Sequence, residues 1–195
     1  MKHLKMLGLS LVAVAIAVMT AASAASATTL EVGGVAQNKS VSFAWTLKSG
    51  TSMTFQTTTG EPWGTCTGLE IKGATEGTFT GSTVSGKLSS FAWSGCLDKV
   101  ETIKPGRLQI AWSSGTNGTV TLFETEFKWY LEAFGEPLTC KVSPSGTDIG
   151  LLTGVKEGQA TVDMNAVISC GLILPSMRLA GSLTVTSPSG LGVVS

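Results

Sequence analysis

Gly60-Glu61-Pro62-Trp63-Gly64-Thr65-Cys66 returns later in the chain as Gly135-Glu136-Pro137-Leu138-Thr139-Cys140, and a second cysteine follows each copy by 30 residues, Cys96 and then Cys170. Corresponding cysteines therefore stand 74 residues apart. The stretch reads as a quasi-repeat, which divides the chain into similar halves at about 28–113 and 114–195. Further echoes support the division: Ser94-Gly95-Cys96 matches Ile168-Ser169-Cys170, and Pro105-Gly106-Arg107-Leu108 loosely matches Pro175-Ser176-Met177-Arg178-Leu179.

Working outward from the repeated stretch, large apolar residues alternate with polar ones, the period of half-buried strands. Val41, Phe43, Trp45 and Leu47 form one such run, Leu108, Ile110 and Trp112 another, and Ala160, Val162, Met164, Ala166 and Ile168 a third. Between Cys66 and Cys96 the pattern gives three short segments, Leu69 to Lys72, Gly77 to Val84 and Lys87 to Ser94. Gly115-Thr116-Asn117-Gly118 is a hairpin signal, because Asn-Gly tolerates the positive φ angles of a tight turn. After it, Phe123, Phe127, Trp129 and Leu131 share one parity, which predicts one long strand over about Thr119 to Phe134. About a dozen strands with turns every ~8 to 12 residues and no helix predict an all-β, antiparallel β-sandwich, with a barrel as the alternative.

The first residues, Met1-Lys2-His3-Leu4-Lys5, are basic and lead through an apolar run into Ala21-Ala22-Ser23-Ala24-Ala25-Ser26-Ala27. That is the pattern of a cleaved secretory signal peptide over residues 1–27, with Ala24 as the alternative cut. The apolar run is short of the ~20 residues that span a bilayer, and no lipobox cysteine follows it. Export to an oxidising space predicts that Cys66, Cys96, Cys140 and Cys170 form two disulfides. Three connectivities are open, and repeat symmetry favours Cys66 to Cys96 with Cys140 to Cys170. Loop entropy does not choose among them: closing ~30 residues is worth about 3.5 to 4 kcal/mol and ~74 only several tenths more. With three strands between its cysteines, each half would have difficulty bringing the two sulfurs together.

Removing residues 1–27 leaves 11 basic residues against 13 acidic ones. Charged residues are only 13% of the whole chain. Without clustered Lys and Arg, nucleic acid and anionic membrane are excluded as main partners. His3 is the only histidine and leaves with the signal peptide. Its loss excludes His-ligated zinc, the Ser-His-Asp triad and an imidazole base. No phosphate-binding or dinucleotide glycine motif is present, so no cofactor is expected.

Trp63, beside Gly and Pro, is placed in a loop as a candidate ligand or partner contact, against the alternative that it packs over the adjacent disulfide. Trp45, Trp93, Trp112 and Trp129 are expected in the core. Glu124, Glu126 and Glu132 lie along one strand, and a glycosidase needs two carboxylates facing each other ~5 to 9.5 Å apart across a cleft. They read instead as a solvated face with Lys128 as charge partner. Asn38-Lys39-Ser40 and Asn117-Gly118-Thr119 match a glycosylation sequon by chance and by turn chemistry.

Leu30-Glu31-Val32-Gly33-Gly34, Ser114-Gly115-Thr116-Asn117-Gly118-Thr119-Val120 and Ser187-Pro188-Ser189-Gly190-Leu191-Gly192-Val193 together resemble a group of uncharacterised secreted actinobacterial proteins with four cysteines. The resemblance spans the chain after residue 27. It implies export and a compact β fold, and brings no activity and no catalytic residues.

The expectation is therefore a secreted, non-catalytic β protein, extracellular or at the cell surface, with a binding or structural role. The second reading is a carrier of a small apolar ligand held among Trp and Phe side chains, in a pocket lined by Trp45, Trp112 or Trp129. The third is a carboxylate hydrolase, which needs two acids facing each other across a groove.

Overall fold

Alternating patterns dictate strands, and strands are what the computed structural model contains, over residues 27–77, 81–132, 135–172 and 174–195. The predicted signal peptide, apart from Ala27, lies outside the described residues, as do positions 78–80 of the predicted Gly77 to Val84 segment and 133–134 of the predicted Thr119 to Phe134 strand. The strands are β1 (Thr29–Val32), β2 (Val35–Ala36), β3 (Ser42–Leu47), β4 (Met53–Gln56), β5 (Pro62–Thr75), β6 (Thr83–Cys96), β7 (Lys99–Lys104) and β8 (Arg107–Ser114). There follow β9 (Asn117–Phe123), β10 (Glu126–Tyr130), β11 (Leu138–Lys141), β12 (Thr147–Thr153), β13 (Thr161–Cys170), β14 (Leu174–Ser187) and β15 (Leu191–Val194).

The expected sandwich gives way to its alternative, a barrel. Antiparallel ladders run β3–β5–β6–β8–β9–β12–β13–β14 and then return to β3 through Thr184↔Thr46 and Val185↔Trp45. Eight strands close on themselves, which leaves no free edge in that ring and an interior just wide enough for side chains to fill. Trp45, Ile71, Val84, Ile110, Val120, Leu152, Val162 and Leu183 fill it, all buried. A small sheet, β15–β1–β2, covers one end and buries Leu30, Leu191 and Val193. The Val193 amide ties it to the barrel by donating to Thr116 O at 3.0 Å.

β5, β6 and β14, each 14 residues long, run past the closed ring. At that far end they and β13 are joined by β4, β7, β10 and β11, which add a second tier with its own ladders. The core changes character there. Phe55 stacks on Trp129 at 4.7 Å between centroids, and Phe127, Trp93 and Phe91 continue the cluster at 5.2 to 6.2 Å. Ring pairs at these separations stabilise beyond their buried area, by about 0.5–1.5 kcal/mol each.

The disulfides close Cys66–Cys96 and Cys140–Cys170, the pairing that repeat symmetry favours. In the second interval the three expected strands β11, β12 and β13 are present and β11 pairs directly with β13 at Lys141↔Ser169. In the first the expected difficulty is absent, because two long strands, β5 and β6, occupy it where three segments were predicted. One hairpin brings its two ends side by side, and Cys66 faces Cys96 in the ladder. The predicted long strand over Thr119 to Phe134 also differs, breaking into β9 and β10 at Glu124 and Thr125. The break shifts parity: Val120 and Leu122 point inward before it and Phe127 and Trp129 after it, leaving Phe123 partly exposed. The predicted hairpin joins β8 to β9, but Ser114 pairs with Asn117, so Gly115 at φ 56° and Thr116 form the turn.

Candidate binding groove

The broken strand positions a groove. Thr125 is 1% exposed, and its hydroxyl donates to Pro105 O at 2.8 Å while its own carbonyl accepts from Val142 N at 2.8 Å. Those bonds pin the β9–β10 break against the Pro105-Gly106 turn on one side and the β11–β12 connection on the other. Glu124, just before it, has φ 59° and is the one described non-glycine residue with a positive φ. Such a conformation costs about 1–2 kcal/mol for a residue with a Cβ and persists where surroundings over-determine it.

Around this break lies a groove of about 680 Å³. Glu124, Thr125 and Glu126 form one wall, Lys141, Val142, Ser143 and Pro144 another, and Val167, Ile168 and Ser169 of β13 the third. Its charges are paired across strands. Lys104 Nζ donates to Glu124 Oε2 at 2.6 Å, Arg107 Nη2 stands 4.0 Å from Glu124 Oε1, and Lys141 Nζ is 3.4 Å from Glu126 Oε1. The partners are thus Lys104, Arg107 and Lys141 rather than the expected Lys128. Arg107 also sits over the Phe123 ring, 5.0 Å from its centroid. The hydrogen bond from Lys104, and then its charge and that of Arg107, hold the Glu124 carboxyl below the usual glutamate range. A general acid needs the opposite, a carboxyl whose proton is retained near neutral pH.

Exposed ion pairs contribute little stability, a median of about 0–1 kcal/mol, so partner exchange with a charged ligand group costs little. Buried Val142 and Ile168 give the groove an apolar base, and Val167 is 46% exposed beside them. Among the described residues no group of acids and cysteines is placed to hold a metal ion.

The other singled-out residues are scattered. Trp63 is the second residue of β5 rather than part of a loop, 36% exposed, beside Thr57, Leu174, Ser176 and Met177. Ser176 also borders the groove, so Trp63 lies near it and outside it. Trp45 and Trp129 are buried and Trp93 is partly buried in the aromatic cluster, as expected of core residues. Trp112 departs from that expectation: it is 40% exposed, its indole N–H donating to Gly115 O at 3.0 Å. None of Trp45, Trp112 and Trp129 lines the groove. Glu132 lies apart from Glu124 and Glu126, in a shallow dip with Tyr130, Glu136 and Pro137.

Lys104, Lys141 and Val167 were not singled out by sequence reasoning. Their only signal is negative, a lysine beside a Pro-Gly turn and an apolar residue on the polar parity of its strand. No family model matches this chain, and neither a curated protein sequence nor a solved structure is significantly similar to it.

Proposed function

We propose that the protein is exported and works outside the cell or at its surface as a non-catalytic binding protein, with the groove beside the β9–β10 break as its contact site. One observation carries the reading: an open groove of about 680 Å³ lies on the outside of the barrel, while the barrel interior is filled by side chains. Binding then occurs on the outside of the barrel, which supports a surface binder over a carrier of an enclosed apolar molecule. Two disulfides are consistent with an oxidising destination, and among the described residues no helix is long and apolar enough to cross a membrane. The pairing of Glu124 with Lys104 supports a role without acid catalysis.

Construction from two similar halves, about 28–113 and 114–195, is part of this reading. The ladder pair Met53↔Cys66 maps onto Phe127↔Cys140 when each residue is moved by 74, and Leu47↔Leu183 corresponds in the same way to Thr121↔Gln109 across the two junctions between halves. The groove then lies mainly in the second half, where β11 and β12 stand in place of the continuous β5, with Lys104 of the first half at its border. The resemblance to secreted actinobacterial proteins agrees with export.

Native mass spectrometry of the protein recovered from its own host's medium tests the reading. Protein without an enclosed small molecule is expected. An apolar molecule that survives gentle ionisation and is released only on unfolding would overturn it in favour of the carrier.

A further inference from the structure

The groove lies where a ladder is interrupted. β12 pairs with β13 from Thr153↔Thr161 to Gly150↔Met164, and β11 meets β13 again at Lys141↔Ser169. Between those points residues 165–168 of β13 have ladder partners in β14 and, among the described residues, none in β11 or β12. The divergence starts at Gly150. Its φ is 152°, and a Cβ there would stand 1.8 Å from Asp163 O, so only glycine lets β12 approach β13 at this angle. β12 is also irregular against β9 between Asp148 and Gly150. Below this point β12 leaves β13, and the Ser143-Pro144 connection passes around the opening.

An uncovered sheet edge presents backbone donors and acceptors at the spacing of a missing strand. Proteins blunt such edges with lysine or proline, and residues 165–168 contain neither. Ala166 and Ile168 turn into the core, while Val167 faces out into the groove. Among the described residues no aromatic side chain lines the groove to offer a sugar ring a stacking platform.

We infer that the groove takes an extended peptide segment of about four residues, some 13 Å of chain at strand rise, which adds as a strand to residues 165–168 of β13. This rests on the proposed binding role of the groove. Alternate side chains of the peptide meet Val142 and Ile168 or point outward, within reach of the Lys141–Glu126 and Lys104–Glu124 pairs. Both signs of charge are therefore available to the outward positions, and the backbone supplies the affinity.

The test is a titration of the ¹⁵N-labelled full chain with two blocked pentapeptides, acetyl-Thr-Val-Lys-Val-Thr-amide and acetyl-Thr-Val-Glu-Val-Thr-amide, and with versions N-methylated at alternate residues. A neutral pentasaccharide is the last probe. Amide shift changes confined to residues 165–169, 141–143 and 147 are expected with at least one peptide. N-methylation on the pairing edge should weaken that response about tenfold or more, because it removes the donors without altering the protein. Equal responses to the N-methylated peptides, or shifts centred elsewhere, would overturn the inference. A groove response to the pentasaccharide alone would overturn it and leave the binding role standing. Silence from every probe at millimolar concentration would overturn it as well, and crosslinking from the groove then judges the binding role separately.

Discussion

Gly64 of β5 lies against the indole of Trp129 on β10, so close that a Cβ on residue 64 would stand 2.7 Å from Trp129 Cζ2. Trp129 cannot yield, since it is 1% exposed and stacked on Phe55 at 4.7 Å. Glycine at this point of the repeated stretch is thus a packing requirement of the second tier. Gly64→Ala is expected to destabilise by about 1–3 kcal/mol through overpacking. Urea unfolding should show a lower midpoint at unchanged slope. An unchanged midpoint would mean that the two tiers are not packed as described.

The tryptophans separate by position along their strands. Trp45 is fully buried inside the closed ring, whereas Trp112 sits past the rim with 40% of its surface exposed. Trp45→Ala should cost about 3–5 kcal/mol and Trp112→Ala about 1 kcal/mol or less. Equal losses in chemical denaturation would contradict the placement of Trp112.

Each disulfide closes an interval of 30 residues at the same end of the molecule. The paired variants Cys66→Ser with Cys96→Ser, and Cys140→Ser with Cys170→Ser, should each lose about 2–4 kcal/mol, to a similar extent. Peptide mapping without reduction should link Cys66 to Cys96 and Cys140 to Cys170. A link from Cys66 to either Cys140 or Cys170 would contradict the fold.

Two carboxyls titrate below the usual glutamate range of about 4.3. Glu124 does so through the hydrogen bond from Lys104, and Glu101 through hydrogen bonds from Lys99 and then Tyr130. Each folded carboxyl binds its proton less readily than the unfolded one. The stabilisation is therefore present above pH about 4.3 and is lost as pH falls through the lowered folded values. Carboxyl ¹³C titration should find both below the ordinary value. Glu101→Gln with Glu124→Gln should flatten the fall in stability on the acid side. Titration of either group at or above the ordinary value would contradict the ion pairs.

Much of the β architecture was legible because a period of two needs no long-range information. The disulfide pairing was legible in the repeat spacing. Barrel closure was not: it depends on β3 meeting β14, as at Trp45↔Val185, a contact between distant parts of the chain that alternation does not encode. Trp112 shares the parity of buried Leu108 and Ile110, so only the height of the rim reveals that it is exposed. The break at Glu124 was hidden because Phe123, Phe127 and Trp129 keep a common parity across it while the inward face changes. The groove follows from that break and from the parting of β12 and β13, so its residues carried no motif.

Photo-crosslinking tests the central claim, that partners are met at the groove, most directly. Benzoylphenylalanine would be placed in the groove by Val167→benzoylphenylalanine, at a site 46% exposed, and on the β2 lid by Val35→benzoylphenylalanine, at a site 64% exposed. Both proteins are irradiated after export by their own host. Discrete adducts from position 167 and none from position 35 are the expected result, and adducts from position 35 alone, from both alike, or from neither would contradict the account.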